Sequence, residues 1–392
     1  MKKLLMATAA ILAASAATAQ EVKLGVILGF TGPIESLTPQ MADSAEMAMA
    51  EVSATGAFLG GSTVTPVRAD STCVDAAAAT TAAERLVTSD GVKGIMGADC
   101  SGVTGAILAN VAVPNGMVMI SPSATSPGLT TAEDNGLFFR TAPSDARQGE
   151  VMADVISDRG VSEVAVTYTN NDYGKGLADS FVAAFEAAGG TVTITAAHED
   201  GKADYSAEVG ALASAGGAAL VVVGYADQGG AGIVRASLDS GAFDTFVFPD
   251  GMISASLTDT FGTEIDGSFG QHPGSDSPGQ AKFVEMVGDA FDPTSPFTSE
   301  AYDAAALILL AMQAAGSSDP GVYKDHVLNV ANAPGEEIFP GELEKALAIL
   351  AEGGEINYVG ATAVELIGPG ESAGSYREIE ISNGEITTAR YR

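Results

Sequence analysis

The sequence predicts an α/β protein made of two doubly wound, Rossmann-like lobes. Three observations predict it. Apolar runs of strand length alternate with helix-length amphipathic stretches, the order that builds a parallel sheet with helices on both faces. Several of these runs are continuously apolar, as strands buried on both faces are. The alternation completes one round near Met117–Ile120 and restarts after Arg140, giving two units of similar size. At roughly 150 residues per domain, a chain of 392 residues has room for two or three such units.

The order begins with an export signal. Met1-Lys2-Lys3 is a short positive segment, Leu4 to Ala16 is apolar, and Ala17-Thr18-Ala19 has small residues at both ends. This predicts a secretory signal peptide over residues 1–19. A membrane anchor is the alternative, but the run falls short of the ~20 residues a spanning helix needs. The residue after the expected cleavage point is Gln20, where a lipid anchor would need a Cys.

The first unit then reads as strand 22–28, helix near 40–53, strand 63–69, helix 75–88, strand 92–96, helix near 103–112 and strand 117–120. Met41, Ala45, Met47 to Met49 and Val52 supply the apolar stripe of its first helix. The second unit reads as helix 146–159, strand 163–168, helix 176–188, strand 191–197, helix 205–214, strand 218–223, helix 231–240 and strand 245–248. Two such units, each with loops at the carboxyl ends of its strands, can face each other across a cleft. The last third differs, with helical stretches near 279–290, 299–315, 320–331 and 341–351. It ends in two alternating runs joined by Asn383-Gly384, a hairpin signal.

Composition excludes several functions. Eighteen basic against fifty acidic residues give a net charge of −32, which cannot neutralise a phosphate backbone, so no nucleic-acid partner is expected. The hydrophobic fraction of 46% is enough for packed cores. His198, His272 and His326 with Cys73 and Cys100 show no metal-ligand spacing, so neither metal nor cofactor is expected. The chain has no G-x-S-x-G elbow and no phosphate loop, so no catalytic residue is assigned. In an exported protein Cys73 and Cys100 read most simply as a disulfide, closing a loop that the chain-entropy model values at ~3.5 kcal/mol. Two free buried thiols are the alternative.

What remains is a set of hydroxyls and aromatics at strand ends. Gly97-Ala98-Asp99-Cys100-Ser101-Gly102 and Ser121-Pro122-Ser123-Ala124-Thr125-Ser126-Pro127 follow strands of the first unit. Such turns and helix starts present unpaired N–H groups that suit an anion such as a carboxylate. Tyr173, Tyr225 and Asp250 follow strands of the second unit and reach the corresponding rim. Each residue alone is also explained by capping, packing or turn chemistry.

Together, in this order, these segments resemble type I periplasmic solute-binding proteins of ABC importers, and within them the leucine/isoleucine/valine-binding family. The likeness also rests on Gly29-Phe30-Thr31-Gly32-Pro33, Cys73 with Cys100-Ser101, Asp172-Tyr173-Gly174, Gly224-Tyr225 and Glu300-Ala301-Tyr302-Asp303-Ala304. The resemblance implies two lobes joined by a three-strand hinge. The crossings fall near 140–143, 267–272 and 355–362, so lobe 1 is 20–141 plus 271–355 and lobe 2 is 142–270 plus 356–392.

The resemblance also implies roles. Ser101 and Thr125 hold a ligand α-carboxylate, the Ser123 carbonyl and Asp250 take its α-ammonium, Tyr173 and Tyr225 close over it, and Tyr302 and Leu37 line its side-chain pocket. The Cys73–Cys100 disulfide braces the loop before Ser101. The implied protein is a periplasmic monomer that delivers a branched-chain or other small amino acid to a membrane permease, and not an enzyme. Asp250 stands where the family has glutamate, Leu37 where an aromatic is common, and Glu35 adds a carboxylate near the site, changes that can move specificity. A sensor of amides or small organic acids on the same fold is one alternative, and a secreted hydrolase another.

Overall fold

The computed structural model describes residues 20–392, and the expected signal peptide lies outside the described residues. In the first lobe, β1 (Glu21–Leu28), β2 (Thr63–Asp70), β3 (Ile95–Gly97), β4 (Met119–Ser121) and β5 (Phe138–Pro143) form parallel strands. In the second, β6 (Glu163–Thr169), β7 (Thr191–His198), β8 (Ala219–Val223), β9 (Phe246–Phe248) and β10 (Phe269–Pro273) do the same. Their orders are β2-β1-β3-β4-β5 and β7-β6-β8-β9-β10, one layout used twice. In each sheet the strand order reverses beside the first strand, opening a crevice at the carboxyl ends of β1 and β3, and of β6 and β8. The continuously apolar run of β8 is buried at every residue, whereas edge strand β7 alternates with exposed threonines and alanines.

Late segments complete both sheets to seven strands. β11 (Glu336–Ile338) and β12 (Ile356–Tyr358) pair only with each other, then β13 (Leu366–Ile367) and β14 (Glu371–Ser372) extend the first sheet beyond β5. β15 (Tyr376–Ser382) and β16 (Glu385–Tyr391) extend the second sheet antiparallel to β10. Their turn has Asn383 at φ 55° and Gly384 at φ 73°, the left-handed pair that an Asn-Gly hairpin turn requires.

The chain therefore passes between the sheets after β5, after β10, and finally at residues 373–375. This corrects the expected third crossing near 355–362. Residues 356–372 stay with the first lobe because the buried Asp303 carboxylate holds them. It accepts from Tyr358 Oη at 2.8 Å, the N–H groups of Ala361 and Thr362 at 2.9 Å each, and Thr362 Oγ1 at 2.7 Å.

Asp303 sits on the helix Thr298–Ala315, in which Thr298 through Gln313 are all buried. A helix buried on every side has no wet face to keep, so it forms the axis of the first lobe. It packs against the helix Thr38–Ala54, and both bury alanines, which lets their backbones approach closely.

Candidate ligand-binding site

Loops at the carboxyl ends of the parallel strands meet between the lobes around a hollow. Ile34, Leu37, Asp99, Cys100, Ser101, Ser123 and Phe297 line it from the first lobe, and Tyr173, Tyr225, Asp250 and Gly251 from the second. It holds about 310 Å³ of space free of protein atoms, part of it open to solvent.

The first-lobe wall is built from turns fixed by short hydrogen bonds. Asp99, 1% exposed, accepts from the Gly29 N–H at 2.6 Å and from Ser71 Oγ at 2.8 Å. Burial pushes its carboxyl above the ordinary range, and these donors oppose that. Gly29 is required here because a Cβ would lie 2.9 Å from Asp99 Oδ2 and 3.1 Å from Cys73 Cβ. At Gly32, with φ 121°, a Cβ would lie 2.5 Å from the Thr72 carbonyl oxygen. The disulfide Cys73–Cys100 ties the segment after β2 to the residue preceding the helix Ser101–Ile107. Ser101 Oγ accepts from the Ser126 N–H at 3.0 Å, which leaves its own hydroxyl proton free to point into the hollow. Ser123 Oγ donates to the Asp99 carbonyl at 3.1 Å.

Arg140 braces this wall from behind. Only 1% exposed, its guanidinium donates to the carbonyls of Ala124 at 3.0 Å and Ser126 at 2.9 Å, to Thr130 Oγ1 at 2.8 Å and to Glu371 Oε2 at 2.5 Å. The loop 121–127 is thus anchored to a buried cation that itself has a carboxylate partner.

The second-lobe wall is aromatic and acidic. Tyr173 and Tyr225 stack with ring centroids 5.3 Å apart. Tyr173 Oη donates to Asp250 Oδ1 at 2.6 Å, and the Gly251 N–H donates to the same oxygen at 2.7 Å. The Gln148 amide, oriented nitrogen toward the acids, bridges Asp145 Oδ1 at 2.8 Å and Asp250 Oδ2 at 3.1 Å. Burial raises the carboxyls of Asp145 and Asp250 above the ordinary range. Their mutual repulsion raises Asp145 further, and Arg140 partly offsets it. Two acids bridged by a neutral amide, with the nearest guanidinium already engaged, favour a cation in the hollow.

The structure brings Leu37, Ser101, Ser123, Tyr173, Tyr225 and Asp250 to one hollow. Thr125 does not line it. Its carbonyl accepts from the Asp145 N–H at 2.8 Å, and its buried hydroxyl has no partner among the described residues. Tyr302 lies elsewhere, its hydroxyl donating to Glu51 on the helix Thr38–Ala54. The aromatic that lines the hollow from the first lobe is Phe297, the residue before the same buried helix, in the left-handed region at φ 66°. Ile34 and Asp99 line it too, beyond the residues the sequence predicts for the site. Ile34 sits three residues before Leu37, and Asp99 within the glycine-flanked turn 97–102, which were the only signals available.

Residues 21–327 match the family described as periplasmic binding protein. The chain is 31% identical over 323 residues to Leu/Ile/Val-binding protein homolog 3 of Brucella melitensis, covering 80% of this chain and 84% of the relative. The crystal structure of a leucine binding protein LivK from Thermotoga maritima superposes with a TM-score of 0.78 at 23% identity, covering 94% of this chain and 98% of that one. A solute binding protein of an ABC transporter from R. palustris, in complex with 4-hydroxybenzoate, superposes at 0.73 with 18% identity, covering 95% and 97%. The fold is thus shared by chains with chemically different ligands.

Proposed function

The chain belongs to the periplasmic binding protein family, alongside the solute-binding proteins of branched-chain amino-acid ABC transporters, and from that premise we propose that it captures a small amino acid with an apolar side chain between its lobes. It then presents the amino acid to a membrane permease. The observation that carries this reading is the sorting of chemistry around the hollow. A neutral donor stands on one wall at Ser101, where the Asp99 carboxyl is already engaged by Gly29 and Ser71, a buried carboxylate stands on the other at Asp250, and Ile34, Leu37 and Phe297 form an apolar side. A zwitterion with an aliphatic side chain complements all three.

In this mechanism the first lobe meets the ligand carboxylate with the Ser101 hydroxyl and the free N–H groups of the helix start. The Ser123 carbonyl and Asp250 receive the ammonium. The Tyr173–Tyr225 pair then covers the ligand and excludes water, which strengthens every polar contact inside. Closure follows only because the ligand binds the closed form better than the open one. Asp250 is one methylene shorter than the glutamate of the leucine/isoleucine/valine-binding proteins and is held back by Tyr173 and Gly251. It therefore reaches the ammonium best in a ligand seated deep against the second lobe.

A melting-temperature screen with leucine, isoleucine, valine, alanine, acetamide, benzoate and 4-hydroxybenzoate tests the proposal, since a ligand that binds only the folded state raises the midpoint. Amino acids should raise it and the benzoates should not, because a carboxylate without an ammonium leaves Asp250 and Asp145 unbalanced. A shift with 4-hydroxybenzoate alone would overturn the amino-acid reading and favour an organic-acid binder.

A further inference from the structure

Hydrogen bonds between the lobes lie beside the crossing strands, where the Asp145 N–H donates to the Thr125 carbonyl at 2.8 Å and Arg377 Nη1 to the Thr294 carbonyl at 2.9 Å, and in one cluster farther from them, outside the hollow. The loop after β1 meets the turn after β8. Asp227 Oδ2 accepts from the Ser36 N–H at 2.8 Å, and the Asp227 N–H donates to the Pro33 carbonyl at 3.2 Å. Ser36 Oγ lies 2.8 Å from Ser254 Oγ. Within the second lobe, Ser256 Oγ donates to Asp227 Oδ1 at 2.6 Å and fixes the carboxylate for this contact.

Both partners adjoin the hollow without lining it at these residues. Ile34 and Leu37 bracket the first loop's contribution, and Tyr225 stands two residues before Asp227. Whatever joins Ser36 to Asp227 therefore also holds Ile34 and Leu37 opposite Tyr225.

We infer that Asp227 is a positioning residue, the core of an interlobe latch with Ser36, Ser254 and Ser256 that favours the closed form independently of the ligand and retards release. This rests on the reading that the lobes close around a ligand. The bonds span the lobes, so rotation about the hinge breaks them, and they form only when the two jaws meet. Bonds to a charged acceptor are stronger than neutral ones. Their contribution is added to ligand contacts made elsewhere, so the latch lowers the off-rate and leaves the on-rate to the open form unaffected.

The test uses Ser36→Cys with Ser254→Cys, because hydroxyl oxygens 2.8 Å apart put the thiols within reach of one another only in the closed form. The rate of cross-linking under mild oxidation, without added ligand, reads how often the lobes close. In this background Asp227→Ala should slow cross-linking about tenfold, and Ser256→Ala by a smaller factor, as expected when bonds to a charged acceptor are lost. Asp227→Asn should restore part of the rate, since its amide oxygen still accepts from the Ser36 N–H and the Ser256 hydroxyl can turn and accept from the amide, but without the charge. In the protein without added cysteines, Asp227→Ala should raise the leucine off-rate about tenfold and change the on-rate little.

Equal cross-linking rates in the Ala, Asn and parent proteins, or no cross-link in any of them, would overturn the latch. Leucine should accelerate cross-linking in the parent. If it does not, leucine is not the ligand, while the comparison of Asp227→Ala with its parent still decides the latch.

Discussion

At the scale of single residues the hollow is asymmetric, and the asymmetry is testable at Asp250. Asp250→Asn keeps the size of the side chain and an oxygen for the Tyr173 and Gly251 donors. It removes the charge facing the ligand. Affinity for amino acids should fall at least ~30-fold, the equivalent of about 2 kcal/mol, which is typical for a lost bond to a charged group. The folded protein should be no less stable, because the substitution relieves repulsion between two buried carboxyls. Calorimetric titration paired with a melting curve separates the two effects, and wild-type affinity in the variant would remove Asp250 from ligand recognition. Phe297→Ala tests the apolar side. It should weaken leucine by ~10-fold or more and alanine much less, since only the longer side chain reaches the ring that is removed. Equal losses for both would show that Phe297 shapes the loop and does not contact the ligand.

At the scale of elements, the Thr298–Ala315 helix explains why part of the site was legible in sequence and part was not. The sequence predicts a helix over 299–315, and the hydroxyl and aromatic clusters at strand ends predict a rim, because position after a strand nearly fixes where a residue goes. Which face of a wholly buried helix meets the hollow leaves no such trace. Tyr302 therefore turned out to serve Glu51, while Phe297, outside the helix proper, faces the other lobe. The third crossing was hidden for a related reason, since β13 and β14 have two residues each and show no alternation. The same helix carries Glu300, 3% exposed, whose carboxyl burial pushes from 4.5 up to about 8. Between these values the folded state keeps a proton that the unfolded state releases. The stability this provides is complete below about pH 4.5 and is lost as pH rises through 8. Glu300→Gln mimics the protonated form at every pH. Its stability relative to wild type, read from melting curves, should therefore climb from pH 5 to pH 8 by on the order of 3 kcal/mol. His198 and His272, pulled down by burial to about 4 and about 3, act in the opposite sense below pH 6.5, but equally in both proteins. A pH-independent gap between variant and wild type would mean that Glu300 is already charged in the fold.

For the whole molecule, the net charge of −32 bears on what the hollow admits. The field of so acidic a protein repels any anion on approach, and salt screens that repulsion over about 8 Å at physiological strength. A zwitterion carries no net charge, so the long-range work of bringing it to the cleft is near zero. Its contacts, once enclosed by Tyr173 and Tyr225, lie beyond the reach of mobile ions. Leucine affinity and association rate should thus change by less than ~2-fold between about 20 mM and about 500 mM NaCl. The melting temperature of the ligand-free protein should rise over the same range, as self-repulsion among its carboxylates is screened. A monoanionic ligand such as 4-hydroxybenzoate should behave differently, associating several-fold faster as salt is added. Stopped-flow association across this range discriminates between the two ligand classes without a structure of the complex. A steep rise with salt for the ligand that stabilises the protein would mean that the cleft takes an anion, leaving the paired carboxyls of Asp145 and Asp250 to share a proton in its presence.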